Sequence, residues 1–340
     1  MSWPKLGIAA MLRDIRAYPP WAAEMEAAGF DLLGYGDTQN LLPEAHVALT
    51  AMALATQRVR FAPTVSNPIT RHPAVVASAF VALQQLSSGR AVFAIGSGDS
   101  SVRNIGERPA RVDEMEEWCR AFADLVAGRV ASWRGRQMAL EFETTPVPLW
   151  ISAEGPRMLH LAGQLADGVM LGSGISDEVV LDHRERVRLG AESVGRTLAD
   201  LELWWITRPF FAASEEAAWN DVAYSLAAQA NHAFRFTFEG KHVPVEHEAG
   251  LRRLMEGYRS DLHHNAERGG HNGALVTENG LTEFLGRRFF LGGSADDIAS
   301  RIDHLGSLGV DGLLLAGTLP DPIAYTRRIA RELLPRRDAR

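Results

Sequence analysis

Two titratable side chains follow apolar runs at points where a sheet would present them to a ligand. Asp37 comes after the run Leu32 to Tyr35, and His72 lies in a polar loop after the run Val59 to Val65. A carboxylate can transfer a proton or orient a ligand, and an imidazole can donate a proton or a hydrogen bond. Each also has a structural interpretation. Asp37 can cap the next turn, and His72 can cap the helix that begins at Pro73.

Two glycine-rich loops also follow apolar runs. Gly96-Ser97-Gly98-Asp99-Ser100 comes after Ala91 to Ile95, and Gly172-Ser173-Gly174 ends a later run. Glycine lets backbone amide groups approach an anion closely, so the pair of loops indicates a phosphate site. Ser152, Ser173 and the backbone amides at Gly155, where a helix begins, could bind that phosphate. The first loop lacks the lysine of a P-loop and the spacing of a dinucleotide fingerprint, so ordinary tight turns are the alternative.

The other residues that could do chemistry favour neither a metal centre nor covalent catalysis. Five histidines match no zinc spacing and have no cysteine beside them, which favours a solvated segment; they are His242, His247, His263, His264 and His271. The chain has no nucleophile elbow, HExxH motif or Cys/His pair. We therefore expect no metal, and a bound cofactor that carries the chemistry while the protein supplies shape and polar contacts.

Composition restricts the class of protein. The 340 residues carry a net charge of −7, with 46% hydrophobic and 23% charged residues, as in a soluble globular enzyme. There is no basic run for nucleic acid, no apolar stretch of about 18 residues for a membrane, and no signal-peptide pattern. The one cysteine, Cys119, cannot form an intrachain disulfide and lies in a helical pattern typical of a buried thiol. These features predict a cytoplasmic protein.

The elements that would position these residues repeat along the chain. Helix, glycine, apolar residue, aspartate and strand recur at Gly29 to Asp37 and Gly309 to Gly317, with a looser copy at Leu165 to Gly174. Such αβ units predict a parallel sheet. Eight candidate strands occur, at 6–12, 32–36, 59–65, 91–96, 148–153, 168–172, 201–211 and 312–316. Eight units close into a (β/α)8 TIM barrel, with an open doubly wound sheet as the alternative; similar units near both ends favour closure.

One long segment does not fit the repeat. Trp219 to Glu283 is rich in histidine and glycine and follows the seventh strand. We interpret residues 1–340 as a single barrel domain and residues 219–283 as an insertion, part helix and part loop. Long insertions of this kind commonly form lids or dimer arms.

Several motifs together resemble the bacterial luciferase-like superfamily of flavin-dependent oxidoreductases. They are Thr64-Val65-Ser66-Asn67-Pro68, Arg71-His72-Pro73, Leu86-Ser87-Ser88-Gly89-Arg90, Gly96-Ser97-Gly98-Asp99-Ser100, Ile151-Ser152-Ala153 with Gly155-Pro156-Arg157, and Ala166-Asp167-Gly168. The resemblance covers nearly the whole chain and is nearest the methylenetetrahydromethanopterin reductase-like branch, which uses the deazaflavin coenzyme F420. It implies a (β/α)8 barrel with an insertion after strand seven and a flavin or deazaflavin ring at the C-terminal mouth.

The resemblance also implies roles for individual residues. A non-prolyl cis peptide at Thr64-Val65, or one bond later, would support the ring. Asp37 and His72 would be the catalytic, proton-handling residues, with Asp37 matching an acidic position near the ring in the deazaflavin branch. The cofactor-binding residues would be Thr64, Val65, Asn67, Gly98, Asp99, Ser100, Ser152, Glu154, Gly155, Gly172, Ser173 and Gly174.

The first functional hypothesis is an FMN-dependent monooxygenase that oxidises a small organic substrate with reduced flavin and O2, with a separate flavin reductase as a candidate partner. The alternative is an F420-dependent reductase or dehydrogenase that transfers a hydride, and a third hypothesis is a non-catalytic flavin-binding protein. Oxygen chemistry predicts a closed apolar pocket over the ring, whereas hydride transfer to a polar substrate predicts an open, charged one. The resemblance further implies a homodimer through the early helices.

Overall fold

Eight parallel strands form a closed barrel in the computed structural model, which describes residues 3–235, 237–262, 270–317 and 321–339. The barrel strands are β1 Lys5–Ala10, β2 Leu32–Tyr35, β3 Arg60–Pro63, β4 Phe93–Ile95, β5 Leu149–Ser152, β6 Gly168–Leu171, β7 Glu202–Thr207 and β8 Gly312–Gly317. The hydrogen-bonded order is β3-β2-β1-β8-β7-β6-β5-β4. Parallel bridges from Phe61 to Ala91 and from Ser66 to Ile95 join β3 to β4 and close the ring. The predicted (β/α)8 barrel is confirmed, as is the pairing of the first strand with the last.

The predicted strand 201–211 is wrong as one element. It divides at Arg208 into β7 and a short strand, Pro209–Phe211, which pairs with Leu291–Gly293 outside the barrel. Pro209 has no backbone N–H, so it cannot continue the barrel ladder. Between β4 and β5 the chain also forms a two-stranded antiparallel hairpin, Ala131–Trp133 with Arg136–Met138.

Helices surround the barrel and cover its mouth. Outside the insertion they are Tyr18–Ala28, Ala45–Ala55, Pro73–Ser87, Ser100–Arg103, Val112–Val126, Pro156–Leu165, Asp177–Glu192, Ala295–Ser307 and Pro322–Asp338, with 3-10 turns at Ile15–Ala17 and Leu198–Asp200; a third 3-10 turn, Ser260–Leu262, lies inside the insertion. Between β7 and Leu291 the chain forms Glu215–Asp221, Ala223–Phe234, Val245–Gly257, His271–Glu278 and Thr282–Phe289. The single domain and the insertion at 219–283 stay predictions, and helix Ala223–Phe234 is called the mouth helix below.

The repeated aspartate has the same contact in each of its three copies. Oδ2 of Asp31 accepts from the amide of Leu6, Oδ2 of Asp167 from that of Leu149 and Oδ2 of Asp311 from that of Leu203, each at 2.8 Å. In every case the amide belongs to the first or second residue of a neighbouring strand. The carboxylate therefore fixes the register between adjacent strands at the bottom of the barrel, which explains the recurrence of the pattern.

Apolar side chains form separate clusters inside the barrel, outside it and in the insertion. The interior contains Leu32, Ala62, Val92, Ala94, Trp150, Met170, Trp204 and Leu314. At its lower end Arg60 donates two hydrogen bonds to Glu202, at 2.7 and 2.9 Å, and lies over the rings of Trp150 and Trp204. We call Arg60–Glu202 the floor ion pair, because it closes the barrel opposite the mouth.

The larger cluster packs the barrel against its surrounding helices. It includes Cys119, which is fully buried, and burial raises the pKa of that thiol to about 12. The predicted buried thiol is thus confirmed. Within the described ranges, no helix is long and apolar enough to cross a bilayer.

Candidate active site

Residues from three neighbouring strands come into contact at the C-terminal mouth of the barrel, where β3, β4 and β5 end. The Thr64–Val65 peptide bond is cis, as predicted. The amide of Ser66 donates to Ala94 O, and the amide of Gly96 donates to Ser66 O, so the loop after β3 is bound to the end of β4. A Cβ on Gly96 would lie 3.0 Å from Val65 Cγ2 and 3.4 Å from Ser152 Cβ. Thr64, Val65, Gly96 and Ser152, which we call the cis-peptide ledge, therefore meet at one level of the mouth.

Asp37 lies beside this ledge in a buried ion pair. Its carboxylate is 5% exposed and accepts from Ser66 Oγ at 2.6 Å and from Arg71 Nε and Nη2 at 3.0 and 2.9 Å. Arg71 also contacts Glu44 at 2.7 Å. Burial acts to raise the pKa of Asp37, but the hydrogen bonds from Arg71 and Ser66 outweigh it and lower the pKa. These contacts give Asp37 a positioning role, and its role in proton transfer stays a prediction.

His72 and Asn67 organise the loop between β3 and the helix that follows. Nδ1 of the exposed His72 accepts from the amide of Ala74, which makes it the N-cap of helix Pro73–Ser87. Asn67 is 1% exposed, and its Oδ1 accepts from the amides of Ile69 and Thr70. The helix-cap interpretation of His72 is confirmed, and proton transfer by His72 stays a prediction.

The loop after β4 carries the next predicted group. Gly98 has φ +94°, and a Cβ there would overlap Val102 Cγ2, so glycine is required. Asp99 Oδ1 accepts from Arg103 Nε at 2.9 Å and from Arg235 Nη2 at 2.8 Å. Ser100 is exposed at the start of the short helix Ser100–Arg103.

The loops after β5 and β6 lie beside one another. Ser152 ends β5, and Gly155 is the N-cap of helix Pro156–Leu165 with open space around its Cα. A Cβ on Gly172 would lie 3.2 Å from Oε1 of Glu154, so the two loops are in contact. The predicted residues Ser152, Glu154, Gly155 and Gly172 are thus brought together at the mouth.

Buried polar atoms without hydrogen-bond partners lie next to the end of the β6 loop. Oγ of the buried Ser173 lies 3.2 Å from His183 Nε2, and burial lowers the pKa of His183 to about 4. A Cβ on Gly174 would lie 3.0 Å from Cγ of Arg288, which is 2% exposed. Within the described part of the chain, His183 Nδ1 and Arg288 Nε are buried without a hydrogen-bond partner. Uncompensated buried donors of this kind are costly and suit an anionic ligand.

The mouth helix contacts these loops through polar side chains on one of its faces. Ser225 Oγ accepts from Arg208 Nη1 at 2.8 Å, after β7, and Gln229 Nε2 donates to Gly172 O at 3.1 Å, after β6. His232 lies 3.1 Å from both Glu154 Oε1 and Asp99 Oδ2, after β5 and β4. The three helix residues are spaced by four and by three, which places them on one face. One helix thus contacts four consecutive strand ends.

Sequence reasoning missed His232. The signal available was the 4–3 spacing of Ser225, Gln229 and His232, inside the segment interpreted as an insertion. Of the histidines considered instead, His242 lies 3.5 Å from Asp182, His247 stacks on Phe284, and His271 donates to Gly257 O. His263 and His264 lie outside the described residues.

The closed barrel carries a cis-peptide ledge, glycine loops and the buried Arg288 guanidinium at its mouth. This fold and this site define a barrel oxidoreductase of the class that binds a flavin-type cofactor. The profile of the luciferase-like monooxygenase family matches residues 5–312. The chain belongs to this family, and it is an oxidoreductase.

Relatives resemble the chain over nearly its full length. It is 27% identical over 332 residues to the 5,10-methylenetetrahydromethanopterin reductase of Archaeoglobus fulgidus, covering 92% of each chain. It is 30% identical over 354 residues to the F420-dependent glucose-6-phosphate dehydrogenase of Beutenbergia cavernae, covering 96% of this chain and 94% of that one. The solved F420-dependent tetrahydromethanopterin reductase of Methanopyrus kandleri superposes with a TM-score of 0.75 at 20% identity, covering 99% of each chain, which supports the fold alone. These names favour the deazaflavin alternative over the FMN monooxygenase.

Proposed function

We propose that the chain is an F420-dependent reductase or dehydrogenase that transfers a hydride between the deazaflavin and a small polar substrate. The observation that carries this proposal is the charge of the mouth. Asp99, Glu154, His232 and Arg235 face one another there, and their side chains are 25–39% exposed. An enzyme that protects a reduced-flavin oxygen intermediate needs a water-free apolar cover. The names of the F420-dependent relatives point the same way.

The mouth offers a separate group for each part of such a cofactor. The bound deazaflavin would supply or accept the hydride. The cis-peptide ledge would support the ring, and Asn67 and Gly98 hold the loops on either side of it. Ser173 and Arg288 would bind the phosphate, because both lie at the Gly172–Gly174 loop and Arg288 has no carboxylate hydrogen-bonded to it among the described residues. The mouth helix would cover the site as a lid.

The test is a paired titration of the purified protein with F420 and with FMN, followed by tryptophan fluorescence. The proposal predicts that F420 binds at least tenfold more tightly than FMN. The complex with reduced F420 should then transfer hydride without oxygen to members of a panel of aldehydes, ketones and imines. Tighter binding of FMN, with oxygen-dependent turnover of reduced FMN, would instead support the monooxygenase.

The homodimer is a further part of the proposal. Val47 and Leu54 on helix Ala45–Ala55 are 57% and 63% exposed, and Val75 and Leu86 on helix Pro73–Ser87 are 62% and 51% exposed. These neighbouring early helices thus present large apolar side chains to solvent. Apolar patches of this kind commonly mark protein interfaces, and a second copy of the chain is the occupant we propose.

A further inference from the structure

The two ring nitrogens of His232 each face a carboxylate. Nδ1 lies 3.1 Å from Asp99 Oδ2 and Nε2 lies 3.1 Å from Glu154 Oε1. An ionised carboxylate only accepts hydrogen bonds, whereas a neutral imidazole donates from one nitrogen alone. Both contacts are satisfied together only when the three side chains share one extra proton.

Neighbouring charges place that proton on the imidazole. Asp99 is kept ionised because Arg103 and Arg235 both donate to its Oδ1. His232 lies in the last turn of the mouth helix, where the negative end of the helix dipole stabilises a cation. The Glu154 carboxylate and the hydrogen bond to Asp99 raise the pKa of His232 to about 10. The ring is therefore an imidazolium at neutral pH.

The two carboxylates are not equivalent. Asp99 is bound by two guanidinium groups and so fixes the Nδ1 side of the ring. Among the described residues, Glu154 has no guanidinium hydrogen-bonded to it and pairs with His232. The proton on Nε2 is therefore the one that can leave, and at 39% exposure His232 can be reached from the mouth.

The two residues first considered for proton transfer are occupied elsewhere. Asp37 is bound by Arg71 and Ser66, and Nδ1 of His72 caps a helix. We propose that His232, supplied by the insertion, is the proton donor of the site. Asp99 orients its ring through Nδ1, and the substrate heteroatom takes the place of Glu154 at Nε2. This inference rests on the proposed hydride transfer for its chemical use.

The electrophilic carbon of a carbonyl or imine would gain a hydride, which a bound reduced deazaflavin would supply, and its π electron pair would move to the heteroatom. That heteroatom would replace Glu154 as the acceptor at Nε2 of His232 and take its proton. The imidazole would recover a proton from the solvent and return to Glu154. The substrate is reduced by two electrons and the deazaflavin is oxidised by two.

This arrangement fixes the pH dependence. The groups facing or near the ring are Asp99 and Arg103 after β4, Glu154 after β5, His183 on helix Asp177–Glu192, and Arg235, Lys241 and Arg288 from the insertion. Because the carboxylates keep the imidazolium protonated, substrate reduction should be constant from about pH 7 to 9 and should fall above that range. Glu154→Gln removes the largest cause of the raised pKa, so the fall should move toward neutral pH.

The first experiment needs no cofactor. Nitrogen-15 NMR of the histidine-labelled full chain is recorded from pH 6 to 11, and Nε2 and Nδ1 of His232 are assigned by loss of their signals in His232→Gln. We expect both nitrogens to stay protonated up to about pH 9 in the wild type and to titrate at lower pH in Glu154→Gln. Titration of the wild-type ring near pH 6.5 would overturn the inference.

The second experiment uses the F420-loaded enzyme. His232→Ala should lower the rate of substrate reduction by about 100-fold or more while changing the F420 dissociation constant by less than threefold, and added imidazole should restore part of the rate. Asn231→Ala, one residue earlier on the same helix, is the matched control and should be unchanged. If His232 only fastens the helix, imidazole will not rescue the rate, and hydrogen exchange of residues 223–234 will rise in His232→Ala.

The two proposals fail in different ways. If F420 does not bind the wild type, the proposed function fails. The proton-donor role of His232 then fails as well, even if its imidazole is protonated as expected. If F420 binds and transfers hydride but His232→Gln and His232→Ala both retain rates within threefold of the wild type, only the inference about His232 fails.

Discussion

The Asp37–Arg71 ion pair predicts a large stability loss in Asp37→Asn. Asp37 is 5% exposed and accepts three hydrogen bonds, two of them from a guanidinium that is 18% exposed. An asparagine would place an NH2 group against the donors of Arg71 and Ser66. Of its two carboxylate contacts, Arg71 would then keep the one with Glu44. Breaking a buried pair costs about 3–5 kcal/mol, and because Glu44 remains we expect about 3 kcal/mol. With about 2.1 cal/mol/K per residue, 340 residues give about 0.7 kcal/mol/K, so Tm should fall by about 4 °C.

Thermal unfolding of the wild type, Asp37→Asn and Glu44→Gln measures this loss. Glu44 bonds the same arginine but is 46% exposed, so Glu44→Gln should cost less than about 1 kcal/mol. The pKa of Asp37 is lowered in the folded state, so its stabilisation is present above the unfolded value near 3.8 and is lost as pH falls through the folded value. The difference in Tm between wild type and Asp37→Asn should therefore shrink below about pH 3.8.

A different result would refute this reasoning. If Asp37→Asn melts within 1 °C of the wild type while hydride transfer falls by about 100-fold with unchanged F420 binding, Asp37 is a proton-transfer residue. The positioning role derived from Arg71 would then be wrong.

Three further predictions concern the barrel, its helices and the dimer. Glu202→Gln at the floor ion pair should lower the free energy of unfolding by about 3 kcal/mol at pH 7, measured in urea. Because the pKa of Glu202 is lowered to about 2, the difference in stability between wild type and variant should shrink as pH falls from about 4.5 to 2. Gly163→Ala would place a Cβ against a backbone carbonyl of the crossing helix, so it should cost about 3 kcal/mol, whereas Gly155→Ala, with open space around it, should change Tm by less than 1 °C. Leu54→Glu should shift the protein from dimer to monomer in sedimentation velocity, while Val245→Glu on the insertion should not; a wild-type monomer would contradict the proposed dimer.

The barrel could be predicted from the sequence because its signals are local. Three of the αβ units carry a glycine, an aspartate and an apolar strand in sequence, and their three aspartates make the same strand contact. The prediction of one strand over residues 201–211 was wrong because it continued the strand through Pro209. A proline there has no amide for the ladder, so that break could have been found in the sequence.

The contacts of His232 with Asp99 and Glu154 could not be predicted in the same way. Asp99 lies 133 residues from His232 in the sequence, and Glu154 lies 78 residues from it. No sequence motif indicates that these residues pair. Likewise Asp37 was recognised, but its partner Arg71 lies 34 residues away and changes the side chain from a free carboxylate to a bound one. The contacts of His232 depend on how the insertion folds over the mouth, and the Asp37–Arg71 pair depends on how the loops after β2 and β3 meet. No local pattern encodes either arrangement.

Hydrogen exchange with and without F420 tests the central claim most directly. We expect F420 to protect the loops at residues 64–70, 96–100, 152–155 and 172–174 together with the mouth helix, and to leave exchange at the bottom of the barrel unchanged. Protection confined to other surfaces, or none at concentrations where F420 is bound, would contradict the placement of a deazaflavin at the C-terminal mouth.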